Sequence, residues 1–382
     1  VPTCHYLYHA PSLPFLKNYA RHERLWPALA DALTTLARRQ QQGDRLLIHA
    51  QHVQTTPAAV LAGQRCGAPV VVTVRDHWPW HYFATGLHGD RLPYQHPPPQ
   101  HPWASWAGLV TELVARLGPL AGVLALPAVP YLVRHVQRRA AFLARADAVI
   151  AVSHYVANRL REMGIVPADR VHVIPNMVDI AAIEQLASTS PASPLPEPFL
   201  LFVGKLEPNK GAMLLVPIFR ALRALRALPG GPGAPLPTLV VAGSGPLQAR
   251  LKRELEALRV PVVFRSWVSH DEVVRLMARC RVLLFPSQWG EPLSRVLLEA
   301  SAAGAPILAM PTGGTAEIIR DGETGVLART VEVFAARLRW LLDAPTERER
   351  LGGQARHAAR ERFAVEVVGP QVEGVYRRVL GQ

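Results

Sequence analysis

Short apolar runs recur along this chain, each closed by a turn and followed by a stretch with helical spacing. Segments 69–74 (PVVVTV), 146–152 (ADAVIAV), 199–203, 239–242, 262–264, 282–285 and 306–309 are rich in β-branched and aliphatic residues. Unbroken runs of this kind predict strands buried on both faces. The segments 26–42, 57–66 and 153–163 between the early runs read as helices, the last opened by Ser153 and closed by Gly164. Strand, helix and strand joined by short turns form the βαβ unit of a parallel sheet. Further strands are expected at 46–49 and 171–174. The segment 188–198 (STSPASPLPEP) reads as a linker between two such series. The predicted fold is therefore α/β, with a doubly wound domain over 1–190, a second over 196–345, and terminal helices over 346–382 kinked at Gly369-Pro370. No internal repeat is visible beyond the similarity of the two sheet domains.

Parallel sheets bind ligands beyond the carboxyl ends of their strands, so the polar residues there carry the chemistry. In the first half these are His49 and His52, then Arg75-Asp76-His77. A histidine in such a place is either packed and solvated or a binding group, and both readings stay open. In the second half, Gly204 to Gly211 brings Lys205 and Lys210 into a strand-to-helix loop. That loop is either an ordinary solvated turn or one that neutralises phosphate. Gly243 and Gly245 allow close backbone approach in the next such loop.

The richest stretch is 284–304, LFPSQWGEPLSRVLLEASAAG. A buried strand ends in a turn-rich loop, and Pro292 is expected to open a helix at its first turn, where the missing N–H costs nothing. Glu291 sits at the mouth of that helix, and Glu299 lies about two turns further on a similar face. Free N–H groups at a helix tip suit a phosphate. Ionised carboxylates only accept hydrogen bonds and so suit sugar hydroxyls. The bland alternatives are that Glu291 favours the helix dipole and Glu299 is a solvated helix residue. Asn176 and Asp179, after the 171–174 strand, are either turn residues or part of a site.

Composition narrows the classes. The chain has 382 residues, 49% hydrophobic and 19% charged, which describes a globular protein and excludes a disordered one. A formal charge of +13 and a pI near 10.4 favour anionic partners. Three scattered cysteines in no zinc-like spacing suggest a reducing compartment. The first residue is Val and no leader is evident, so the sequence reads as a piece of a longer chain. The irregular, proline-rich segment 78–104 is either a lid over a site or a disordered insertion. Residues 117–133 contain no charge across 17 positions, with Trp103, Trp106 and Tyr131 nearby. Three readings compete: contact with a membrane interface through 103–145, a buried helical hairpin, or a span. Arg134, Arg138, Arg139 and Arg145 then form either a headgroup-binding face or a solvated one.

Two glutamates separated by seven residues, then Ala-Ser-Ala-Ala-Gly, Pro306 and Gly313-Gly314, resemble the donor-site signature of retaining glycosyltransferase family 4. The resemblance extends over nearly the whole chain and is most specific from Phe199 to Gly325. It implies the GT-B fold, two Rossmann-like domains facing across a cleft. It also implies retaining transfer from a nucleotide-diphosphate sugar to a glycan, lipid-linked or other hydroxyl acceptor. No metal or other cofactor and no nucleic acid are then expected. The location would be cytoplasmic, peripheral on the inner face of the membrane, in the making of cell-envelope polysaccharide.

By the same resemblance Lys205 and Lys210 hold the diphosphate, Glu299 takes the ribose hydroxyls, and Glu291 faces the donor sugar beside the backbone of Pro292, Leu293 and Ser294. Gly204, Gly243 and Gly245 line the donor side, Val268 meets the nucleobase through its backbone, Gly313 and Gly314 turn beside the phosphates, and Asn176 belongs to a loop facing the cleft. Three departures stand out. Arg75 replaces the histidine of a common His-Asp pair and cannot act as a base, which leaves His52 and His77 as substitutes. Ser294 replaces a glycine. The family's first strand and Gly-rich turn are not found, so the N-terminal domain is expected to be incomplete. Rival readings are an inactive GT-B interaction protein, a sugar-nucleotide epimerase or phosphorylase on the same fold, and a basic nucleic-acid binder. The last does not explain the ordered loops of the second half.

Overall fold

The computed structural model describes residues 5–9, 19–40, 46–84, 109–110, 113–114, 117–189, 197–227 and 236–382. They divide into two compact units. The first takes the described residues up to Ile174 together with Pro370–Gln382, and the second is Pro175–Gly369.

The first unit holds a parallel sheet of β1 (Ile48–Ala50), β2 (Val70–Val74), β3 (Ala148–Ala151) and β4 (Val171–Val173), in that order. The first strand starts two residues later than the sequence pattern suggests. Val72 pairs with Ala50 on one side and Val149 on the other. All five residues of β2 are buried, as a central strand with β-branched side chains requires. The helices are α1 (Leu25–Gln40), α2 (Thr56–Cys66), α3 (Pro119–Leu124), α4 (Val129–Leu143) and α5 (His154–Glu162). Ser153 caps α5 by accepting from the Val156 N–H.

The apolar stretch 117–133 does not form one element. It breaks into α3, a short 3₁₀ turn and the start of α4. Pro119 opens α3, Pro127 lies in the turn, and Pro130 enters α4 at its first turn. Among the described residues no helix is long and apolar enough to cross a membrane. Leu120, Val123 and Leu124 of α3 are exposed. Of the proline-rich segment, Trp78, Trp80 and Tyr82 are buried, and Arg139 of α4 donates to the Tyr82 carbonyl at 3.1 Å with its guanidinium 4.9 Å from the Tyr82 ring. Residues 85–104 of that segment, with Trp103 and Trp106, lie outside the described residues.

The second unit is built on six parallel strands in the order β10-β9-β8-β5-β6-β7. They are β5 (Phe199–Val203), β6 (Thr238–Ala242), β7 (Val262–Arg265), β8 (Val282–Phe285), β9 (Ile307–Ala309) and β10 (Val326–Leu327). The sequence runs outward from β5 through β6 and β7, then returns to β8 on its other flank and runs outward again. The switch point of this doubly wound sheet therefore lies between β5 and β8, where such sheets open a crevice at their carboxyl ends. Covering helices are α6 (Ile180–Ala187), α7 (Leu215–Ala227), α8 (Gln248–Ala257), α9 (His270–Arg279), α10 (Arg295–Ala303), the short α11 (Thr315–Ile318), α12 (Val331–Asp343) and α13 (Pro345–Phe363). Leu200 and Phe202 of β5, Phe219 of α7 and Phe334 of α12 belong to one buried core.

The final helix, α14 (Val365–Val379), continues through Pro370 without a break. The expected linker falls largely on residues 190–196, outside the described set, and α6 groups with the second unit.

Candidate functional site

Backbone contacts bring the loops after β5, β8 and β9 together. Gly211 has φ of 69°, and a Cβ there would stand 1.8 Å from the Pro286 carbonyl oxygen. Only glycine lets the β5 loop approach the β8 loop this closely. The same junction is fastened at Asn209, whose carbonyl accepts from the Gln288 N–H at 3.0 Å and lies 3.3 Å from Ser287 Oγ. Gly313, with φ of 55°, does the same for the β9 loop, since a Cβ would meet the Glu291 oxygen at 2.4 Å. The Gly314 N–H donates to that oxygen at 2.6 Å, and Thr312 Oγ1 donates to the Ser287 carbonyl at 3.1 Å. The Gly204 and Gly243 backbones meet likewise, as do those of Leu206 and Gly245. At Gly211, Gly243, Gly245, Gly313 and Gly314 the atom a side chain would strike belongs to a neighbouring loop.

The junction places Lys210 against Glu291. Lys210 Nζ donates to Glu291 Oε1 at 2.8 Å, and Ser287 Oγ donates to the same oxygen at 2.6 Å. The ammonium also lies 4.5 Å from the centre of the Trp289 ring, within range of a cation–π attraction. The Glu291 side chain is 4% exposed. A carboxyl group this deep needs hydrogen-bond and ion-pair partners, and Lys210 with Ser287 provides them. Lys205, on the same loop, is exposed.

Pro292 does not open the helix. α10 begins at Arg295 and Ser294 is its N-cap, accepting from the Leu297 N–H. The Glu291 carbonyl is taken by Gly314, so Pro292 and Leu293 remain in the loop, both buried. Ser294, the departure from a family glycine, thus carries a capping role. Asn176 donates from Nδ2 to the Leu293 carbonyl at 3.3 Å, and Asp179 caps α6 by accepting from the Ala182 N–H.

Glu299 forms a second cluster. Its Oε1 accepts from Arg295 Nη2 at 3.1 Å, one helical turn back, and lies 3.3 Å from Nε2 of His270, the first residue of α9. Val268 stands half-buried in the turn before α9, beside the exposed Trp267.

The remaining sequence candidates lie in the first unit. Arg75 donates to the Gln51 side-chain oxygen. His52 caps its own turn: Nδ1 accepts from the Gln54 N–H at 3.2 Å, and the carbonyl accepts from the Thr55 and Thr56 N–H groups. His77 is buried. Asp76 accepts from the Trp78 N–H at 2.9 Å, and burial pushes its carboxyl above the usual range. His49 lies 2.6 Å from the Tyr376 hydroxyl through Nδ1 and 2.7 Å from Thr73 Oγ1 through Nε2. Burial, with the Arg75 charge nearby, lowers its pKa to about 4, so the ring is neutral at physiological pH.

Among the described residues no group of three or more His, Cys, Asp or Glu side chains is placed to hold a metal ion. Cys280 is free, and burial pushes its thiol up to about 12. Four residues in these clusters escape a reading of motifs. Ser287, Trp289 and His270 carry no spacing signal toward the groups they touch, whereas Arg295 is legible in retrospect as an i,i+4 partner of Glu299.

Two family models match the chain: Glycosyltransferase Family 4 over residues 124–182 and Glycosyl transferases group 1 over residues 185–358. The alpha-D-kanosaminyltransferase of Streptomyces kanamyceticus is 26% identical over 257 residues, covering 64% of this chain and 62% of the relative. The glycogen synthase of Mycobacterium tuberculosis is 32% identical over 242 residues, covering 60% and 54%. The chain thus spans less than two thirds of the length of these relatives. Among solved structures, Anabaena Alr3699/HepE in complex with UDP and glucose superposes with a TM-score of 0.62 at 18% identity, over 92% of this chain and 82% of that one. A glycosyltransferase from Rickettsia africae gives 0.65 at 15% identity, over 98% and 84%. At these identities the structural likeness speaks to the fold, and the fold is GT-B. With the two models together spanning more than half of the chain, the protein belongs to the group 1, family 4 glycosyltransferases.

Proposed function

We propose that this chain is a retaining glycosyltransferase that takes a sugar from a nucleotide-diphosphate donor and passes it to a hydroxyl acceptor. The observation that carries the reading is the Lys210–Glu291 pair, set by the β5 and β8 loops at the switch point of the second sheet. Lys210 has three donor hydrogens and commits one to Glu291, so it can engage a phosphate as well. Lys205 adds a second charge on the same loop. Together they stabilise the negative charge that develops on the departing diphosphate, a role we assign to these lysines in place of a metal ion. Glu291 is assigned to the donor-sugar hydroxyls and Glu299 to the ribose. Gly204, Gly243, Gly245, Gly313 and Gly314 shape the loops around them, and Val268 is assigned to the nucleobase.

In the proposed step the acceptor oxygen forms the new bond to the anomeric carbon. The bond to the diphosphate oxygen breaks with its electron pair, and the acceptor proton passes to the leaving phosphate. Attack and departure on one face give retention. UDP is the first nucleotide to test, because Alr3699/HepE was solved with UDP and glucose. Arg75 and His52 are assigned to the acceptor. A glycan or lipid-linked acceptor of cell-envelope type, on the cytoplasmic face of the membrane, fits the exposed Leu120, Val123 and Leu124 and the charge of +13.

The test is a thermal-shift panel of UDP-, ADP- and GDP-sugars, followed by product analysis with hydroxyl acceptors. A ligand that binds the native state raises the melting temperature. A donor that stabilises the protein and is turned over with retained anomeric configuration supports the proposal. No shift and no turnover with any donor favours an inactive interaction protein. Conversion of the donor without an acceptor favours an epimerase.

A further inference from the structure

The second cluster carries an inference that rests on the assignment of Glu299 to the donor ribose. The Glu299 side chain is 8% exposed, and two side chains from different helices converge on one of its oxygens. Arg295 Nη2 is 3.1 Å from Oε1, and His270 Nε2 is 3.3 Å from the same atom. Both partner side chains are largely solvent-exposed, at 64% and 55%. Contacts of this kind add little to stability. Their geometric effect is larger, because a glutamate has three rotatable bonds and each conformer aims its carboxylate differently. Contacts from α9 and from one turn back on α10 fix both the rotamer and the plane of the carboxyl group.

We infer that Arg295 and His270 are positioning residues for nucleotide recognition: by occupying Oε1 they orient the Glu299 carboxylate so that Oε2 accepts hydrogen bonds from the donor's vicinal ribose hydroxyls. The side chains act through Glu299 and need no contact with the nucleotide. His270 Nδ1 faces Asp271 at 3.8 Å, which limits the swing of the ring.

The experiment measures ribose selectivity. For whichever of UDP, ADP or GDP binds the wild-type protein most tightly, calorimetry gives Kd for the nucleotide and for its 2′,3′-dideoxy counterpart. The wild type is expected to prefer the ribonucleotide by about tenfold or more, since hydrogen bonds to a charged group are at stake. Glu299→Ala should bring that ratio close to one. Arg295→Ala and His270→Ala should each lower it, and the double variant should approach Glu299→Ala, while Arg295→Lys should restore part of it. A general loss of structure weakens both ligands equally and leaves the ratio unmoved, so an unchanged ratio in the double variant, with Glu299→Ala collapsing it, overturns the positioning role alone. An unchanged ratio in Glu299→Ala, or failure of all three nucleotides to bind, overturns the assignment of Glu299 and the inference with it.

Discussion

Lys210 Nζ lies 2.8 Å from Glu291 Oε1 across 81 residues of sequence. The two groups come from loops on either side of the sheet's switch point. The glutamate is almost wholly buried, whereas the lysine side chain keeps 26% of its exposure. The buried member takes a hydrogen bond from the other, and the accessible one is left able to meet a ligand.

Removing the cation should therefore destabilise the fold as well as weaken ligand binding. Lys210→Met leaves Glu291 buried with Ser287 as its remaining side-chain donor among the described residues. The expected loss is about 1–3 kcal/mol, below that of a fully buried pair because the lysine is partly solvated. Urea unfolding measures it. Adding Glu291→Gln to Lys210→Met should recover part of the loss, since the two positions share one interaction. Strictly additive losses would show that the pair is not coupled.

The Gly211 position should tolerate no side chain. A Cβ would stand 1.8 Å from the Pro286 oxygen at a φ of 69°, so Gly211→Ala must separate the β5 and β8 loops. A loss of about 2 kcal/mol or more in unfolding free energy is expected, together with weaker nucleotide binding because Lys210 moves with the loop. Gly353→Ala is the control, since nothing stands within 4 Å of a Cβ there.

Stability should fall in mild acid through His49. Its pKa is lowered from 6.5 to about 4 in the folded protein, so the unfolded chain binds the proton more readily. The contribution is present in full above pH 6.5 and is lost as pH falls through the window down to about 4. His172, whose pKa is also lowered by burial, acts in the same direction. His49→Gln should flatten the dependence of unfolding free energy on pH in this window, read from urea curves at stepped pH. The same slope in both proteins would contradict a neutral, half-buried His49.

The exposed face of α3 should matter at membranes. Leu120→Ser with Leu124→Ser should reduce sedimentation with anionic phosphatidylglycerol vesicles, and high salt should reduce it further by screening. Equal sedimentation of wild type and variant would remove the membrane from the proposal.

Much of the second unit was legible in the sequence because its strands are continuous apolar runs and its turns carry glycine. In the β8 loop and the helix after it, spacing singled out Glu291 and Glu299 but left their bland alternatives open, and the family resemblance gave them roles. What spacing could not supply was the partner of each group. Lys210 and Glu291 are brought together by loop packing at Gly211 and Gly313, and His270 reaches Glu299 from another helix. The start of α10 was misplaced for a local reason: Pro292 suits a first turn, but Gly314 holds the Glu291 carbonyl outside the helix and Ser294 supplies the cap. In the first unit hydropathy left the uncharged stretch 117–133 open among interface contact, a buried helical hairpin and a span. Its prolines divide it into separate pieces, and this follows from backbone chemistry that hydropathy does not weigh.

The central claim is that the Lys210 ammonium, held by Glu291 and Trp289, grips the donor's diphosphate. Calorimetric titration of UDP, ADP and GDP into the wild type and into Lys210→Ala tests it most directly, with circular dichroism confirming that the variant is folded. The account predicts that the tightest of the three binds the variant about tenfold or more weakly, the effect expected for a lost charge-assisted phosphate contact. Equal affinity in a folded variant would contradict it.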